Sequence, residues 1–219
     1  MGYSSKLATA AFAAIAFAAA GSAFASPVVA HSTSFGTLSG ATFGGSGISN
    51  KAVAITTIGS NVTLGLTATP RYNGPALTNN GAGEFYAQAG AYGAGDNLAL
   101  WNYSYYINAP LFSGYSFKLL VDHDAAVGND ISTYDDMSWL LLLGSQNSQN
   151  LGFQTGYAQF DPTEDGEYGI VLAAYRNNVE VGRSAILVDV GNDVPEPASL
   201  ALVGAALAGA AFAGRRRKS

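Results

Sequence analysis

Two acidic clusters are the residues of this 219-residue chain best placed to do chemistry. Asp122, Asp124 and Asp130 lie within nine residues, with Asp135 and Asp136 just beyond. On a strand, carboxylates two apart share one face, and a turn at Gly128-Asn129 would bring Asp130 round to meet them. Hard oxygen ligands in a calcium-rich exterior suit Ca²⁺, so this trio is the candidate metal site. The second cluster, Asp161-Pro162-Thr163-Glu164-Asp165-Gly166, begins like a calcium loop. It has Leu172 where a bidentate glutamate would complete an EF-hand, so that motif fails. Paired carboxylates also serve glycosidases, but their separation in sequence says nothing of the distance across a substrate. The simpler reading of both clusters is a solvated turn held by Asx-type hydrogen bonds.

The other catalytic ingredients are missing. There is no cysteine, no Gly-x-Ser-x-Gly elbow and no histidine pair at zinc spacing, since His31 and His123 are the only histidines. His123 lies between Asp122 and Asp124, but on a strand those neighbours point to the opposite face and cannot orient its ring. Gly44-Gly45-Ser46-Gly47 and Gly81-Ala82-Gly83 match neither a phosphate loop nor a dinucleotide fingerprint. The chain does not read as an enzyme.

Its two ends carry clearer signals. Lys6, the apolar stretch Leu7 to Ala20 and the Ala23-Phe24-Ala25 pattern form a secretory signal over 1–25. Signal peptidase would cut after Ala25 and leave Ser26 at the mature N-terminus. At the other end, 194–219 has three parts. Pro195-Glu196-Pro197 is stiff and poor in backbone donors, and the apolar run 198–214 follows it. As a helix that run would extend about 25 Å at ~1.5 Å per residue, close to the ~30 Å of a hydrocarbon core. Arg215, Arg216, Arg217 and Lys218 then stop transfer and hold the C-terminus on the cytoplasmic side.

This tripartite tail resembles the PEP-CTERM sorting signal of Gram-negative bacteria. The resemblance implies recognition at Pro195, Glu196 and Pro197 by an exosortase, a membrane-embedded cysteine transpeptidase. That enzyme would remove the tail and pass the protein from the inner membrane to the cell surface or the extracellular matrix.

Between the ends lies a body, 26–194, with five basic and fourteen acidic residues, a net charge of −9. Such a balance argues against nucleic-acid partners. With no disulfides available, stability must come from a packed core. Residues 26–50, rich in Ser, Gly and Thr, read either as a flexible leader or as a first hairpin. The domain proper spans 51–193. Val53, Ile55 and Thr57 share one strand face, Gly59-Ser60-Asn61 makes a turn, and Val62, Leu64 and Leu66 return. Glu84 to Gly90 is a short strand. Ala99, Trp101, Tyr103, Tyr105 and Ile107 form an aromatic row, read as a core face in preference to a sugar-stacking platform. Phe117, Leu119, Val121 and His123 share the next face. Trp139 to Leu143 reads as a buried strand, Gln146 to Asn150 as a polar turn, and Phe153 to Phe160 as a further strand. The strongest signal is the last hairpin, in which Tyr168, Ile170, Leu172 and Ala174 point inward, Asn177-Asn178 turn, and Val179 to Val190 return. Just before it, Asp165-Gly166-Glu167-Tyr168 is similar to a tyrosine corner.

These elements predict an all-β chain: an antiparallel β-sandwich, immunoglobulin-like or jelly-roll-like, between a signal helix and a C-terminal transmembrane helix. Ala54 to Gly59, Arg71-Tyr72, Leu100-Trp101-Asn102, Gln149 to Phe153, Phe160-Asp161-Pro162 and Leu172 to Tyr175 resemble a recurring secreted, β-rich class of PEP-CTERM proteins. That class implies no activity. The expectation is an exported, exosortase-sorted structural protein of the surface or of an exopolysaccharide matrix. The alternative is a carbohydrate-binding module using Tyr86, Tyr92 or Tyr106.

Overall fold

Two-residue alternation in the body becomes two packed sheets. The computed structural model describes residues 32–95, 97–111, 114–126, 130–153 and 160–191. The signal segment and the sorting tail, with the helices expected there, lie outside these residues. One sheet has the order β1 (Ser34–Gly36), β2 (Val53–Ile58), β3 (Val62–Pro70), β6 (Trp101–Asn108), β9 (Gln146–Gln149). The other runs β4 (Thr78–Asn79), β5 (Glu84–Ala87), β11 (Val179–Val190), β10 (Gly166–Arg176), β7 (Tyr115–Val121), β8 (Asp135–Asp136). Among the described residues, every pairing is antiparallel except that of β5 with β11. The layers meet as a β-sandwich.

The aromatic row is core. Trp101, Tyr103 and Tyr105 are at most 2% exposed and interdigitate with Leu64, Leu66 and Ala68 of β3 and with Tyr168, Ile170 and Leu172 of β10. The Tyr105 hydroxyl donates to the Leu140 carbonyl at 2.8 Å, so the one polar atom of that ring is satisfied. Opposite it, β10 and β11 join through Asn177 (φ 52°) and Asn178 (φ 61°), the left-handed pair of a type I′ turn. Tyr168 reaches back to the Glu164 carbonyl at 3.5 Å, as a tyrosine corner would. The layers are also pinned by hydroxyls, with Thr56 donating to the Arg183 carbonyl at 2.7 Å and Ser184 to that of Ala54 at 2.8 Å.

Several elements differ from the sequence reading. In the first hairpin the residues opposite Leu64 and Leu66 are Thr56 and Ala54, so the face shared by Val53 and Ile55 is the outer one. It is not wasted: the segment after β1 folds across it and buries Phe43 and Ala41 against Val53. Gly65 admits this cover, because a Cβ there would stand 2.6 Å from Leu38. Trp139 to Leu143 is no buried strand but part of a 3₁₀ helix, Ser138–Leu143, in which Leu140 is buried while Trp139, Leu142 and Leu143 are exposed. Leucines, which are not branched at Cβ, suit a helical turn, and the Asp136 carboxylate starts it by accepting the Ser138 N–H at 3.0 Å. Gln146 to Gln149, read as a turn, is the edge strand β9. Its polar character fits a position with one open side. Phe153 closes a 3₁₀ helix, Leu151–Phe153, and the rest of the strand expected to Phe160 falls largely outside the described residues.

Candidate functional site

The carboxylates singled out by the sequence do gather, though in a different combination. Asp122, Asp124, Asp135, Glu164 and His123 line a cavity of about 390 Å³. Strand β7 ends at Val121 and delivers Asp122 and His123 to its floor. The short strand β8 places Asp135 opposite Val121 and within 2.8 Å of His123 Nδ1. The histidine ring is thus held from the neighbouring strand by Asp135.

The calcium trio Asp122, Asp124 and Asp130 is not assembled. Asp130 caps the 3₁₀ helix Ile131–Thr133, accepting the Ser132 N–H at 2.9 Å, and does not line the cavity. Asp122 accepts the Asp124 N–H at 3.1 Å, and Asp124 that of Ala126 at 3.0 Å. Asp161 likewise accepts from the Thr163 backbone at 2.8 Å, closing an Asx turn in the stretch that begins like a calcium loop. Among the described residues, no three acidic or histidine side chains are set to hold a metal ion.

The electrostatics of Asp122 carry a testable consequence. Burial, and then the charges of Asp124 and Asp135, raise its carboxyl from 3.8 to about 6, against the opposing pull of the Asp124 N–H. Folded protein therefore holds this proton more tightly than unfolded chain. The contribution is fully present below about pH 4 and is lost as the pH rises through about 6. Asp122→Asn keeps the acceptor oxygen and removes the charge. It is expected to raise the melting temperature by about 2–4 °C at pH 7.5 and to leave it unchanged at pH 4. Thermal unfolding at the two pH values checks this, and equal shifts at both would contradict it.

Of the tyrosines proposed to hold sugars, Tyr86 is buried on β5, where burial and the charges of Glu84 and Asp189 push its phenol up to about 12. Tyr106 packs under the segment that covers β2. Tyr86 is thus withdrawn from any ligand, and Tyr106 is half-buried. Tyr92 instead stands 5.7 Å from Tyr72, beside Arg71, at the rim of a larger cleft of about 540 Å³ whose lining includes Arg71, Tyr72, Asn102 and Phe153. The sequence marked these residues only as points of resemblance. Nothing in their spacing shows that β3, β6 and the segment after β9 bring them together.

Two mostly antiparallel sheets with a shared aromatic core make the body a β-sandwich. A family model, the PEP-CTERM protein-sorting motif, matches residues 193–218. The chain therefore carries a PEP-CTERM tail, which implies an exported protein with a C-terminal, membrane-anchoring sorting signal and an exosortase as its processing partner. No curated protein and no solved structure matches the chain.

Proposed function

We propose that the protein is a non-catalytic structural component of the cell surface or of the extracellular polysaccharide matrix, released there by an exosortase. The sorting motif at 193–218 carries this reading. The use of the acidic side chains supports its non-catalytic half. Asp122, Asp124, Asp130 and Asp161 are engaged by backbone N–H groups of their own turns, and Asp135 is engaged by His123. In these places the carboxylates serve as acceptors that hold turns and orient a ring.

The final location is tested by fractionating cells that make an exosortase into envelope, matrix and culture medium. The protein is expected in the surface or matrix fraction and to leave it when the polysaccharide is digested or stripped. Recovery solely as free protein in the medium, or retention in the inner membrane, would overturn the structural role.

A further inference from the structure

Arg71 is the most unusual cation in the body. It is 7% exposed, and among the described residues no carboxylate pairs with it and its Nε has no hydrogen-bond partner. Three rings surround its guanidinium, with centroids 4.9 Å (Tyr72), 5.1 Å (Tyr92) and 5.0 Å (Phe153) from Cζ. Cation–π contacts offset part of the lost hydration, but rings accept no hydrogen bond in the guanidinium plane. A buried, fixed positive charge without an anion is a costly arrangement, and here it lines an open cleft.

The backbone around this cleft is also forced. Among the described residues, four other than glycine have positive φ, and two of them are the turn asparagines of the last hairpin. The remaining two, Phe43 (φ 52°) and Tyr72 (φ 45°), both line the cleft. For aromatic residues the left-handed region is strained, at a cost of order 1–3 kcal/mol each. At Tyr72 the strain turns the ring outward over Arg71, where it is 77% exposed. The turn is locked behind it: Gly74 donates to the Arg71 carbonyl at 2.7 Å and lies so close to Leu100 that a Cβ would stand 2.5 Å from the Leu100 carbonyl.

The rest of the lining offers polar groups. Asn102 has its oxygen occupied by the Asn150 amide at 2.8 Å, which leaves its own N–H groups to donate. The buried Ser148 hydroxyl has no partner. No aspartate or glutamate lines the cleft, although the body around it is strongly acidic. Arginine and amide donors, an available hydroxyl and exposed aromatic faces match a ligand with a planar carboxylate, several hydroxyls and an apolar ring face.

We propose that this cleft binds a carboxylate-bearing saccharide, with Arg71 as the anchor for the carboxylate and Tyr72 and Phe153 as walls for the sugar ring. A volume of about 540 Å³ suits one or two sugar residues of a longer chain. The carboxylate supplies the missing charge and acceptor. Because the rings cover Nε, it reaches that atom only as Tyr72, the most exposed of the three, swings aside. The site concerns the folded body alone. A chain whose tail is never cut still binds, and a processed chain that fails to bind contradicts this inference without touching the sorting role.

The test uses the full-length protein in mild detergent, titrated calorimetrically with trigalacturonate, with the carboxyl-reduced trimer and with inorganic phosphate. Trigalacturonate is expected to bind saturably and to raise the melting temperature, with the reduced trimer weaker by roughly tenfold or more. Arg71→Lys keeps the charge without the planar fork and should weaken binding roughly tenfold, while Arg71→Gln should abolish it. Should Arg71 variants fail to fold, Tyr72→Ala decides. Alanine keeps the Cβ, and so the backbone strain, and removes only an exposed ring, so the melting temperature should stay within about 3 °C while affinity falls roughly fivefold. Equal binding of the acidic and reduced trimers, phosphate competing as well as the uronate, an unaffected Tyr72→Ala variant, or no saturable binding would each overturn the proposal.

Discussion

Replacing Asn150 with alanine is expected to lower the stability of the protein by about 3–5 kcal/mol, the largest effect of any single side chain outside the hydrophobic core. Asn150 is fully buried and uses its whole amide. Its oxygen accepts the Ala99 N–H at 2.9 Å and the Gly152 N–H at 3.1 Å. Its nitrogen donates toward the carbonyls of Ala99 (3.0 Å) and Trp101 (2.7 Å) and the Asn102 side chain (2.8 Å). One side chain thus does the work of a missing strand beside the start of β6. Alanine would leave two buried donors and two carbonyls unpaired in a site that admits little water, at roughly 1–3 kcal/mol for each group left unsatisfied. Aspartate is no remedy, since it would set a charge against three oxygens. The contact extends to Gly152, where a Cβ would stand 1.6 Å from the Asn97 carbonyl, so Gly152→Ala should act in the same direction. Phe153 follows directly, and loosening this staple should weaken the Arg71 cleft as well. Urea unfolding of Asn150→Ala measures the effect, and a loss below about 1 kcal/mol would mean that the amide is not structural.

The second large effect concerns the tail. Changing Pro195, Glu196 and Pro197 together to alanine is expected to abolish processing and to leave the protein in the inner membrane. Proline fixes φ and carries no backbone N–H, so the sequence alone predicts an extended segment poor in donors. With alanines, the helix expected over 198–214 could continue backward through the motif at ~1.5 Å per residue and close it to a protease that reads extended chain. The cations at 215–218 would stay in place, so membrane insertion should be unchanged while release is lost. Immunoblotting of membrane and released fractions should show only uncut chain. Continued release of the triple-alanine variant would mean that recognition lies elsewhere.

How much of this was readable in advance differs from element to element. The hairpin of β10 and β11 could be read because both strands are long and apolar and Asn177-Asn178 tolerate positive φ. The row Trp101, Tyr103, Tyr105 could be read from its two-residue spacing. Strand β9 could not, because an edge strand needs no apolar face and its pairing with β6 comes from the partner. The run Trp139 to Leu143 suggests a buried strand by its hydrophobicity and length, although leucine does not favour a strand as β-branched residues do. Of the acidic residues, their approach to one another was legible and their use was not, since a capping carboxylate and a metal ligand are the same residue type. The Arg71 cleft is a product of topology. Trp101 faces Pro70 across one ladder and Gln149 faces Tyr103 across the next, which draws residues some eighty positions apart to one end of the sheet.

The central claim, that this β-sandwich is held at the membrane only until an exosortase releases it, is tested most directly by the intact mass of its C-terminus. The protein should be expressed in matched cells with and without an active exosortase, and its C-terminal peptide measured. The expected result is a terminus at or near Pro195-Glu196-Pro197 in the first strain and an uncut Ser219 in the second. An uncut tail in both, or the same cleavage without the exosortase, would contradict the account.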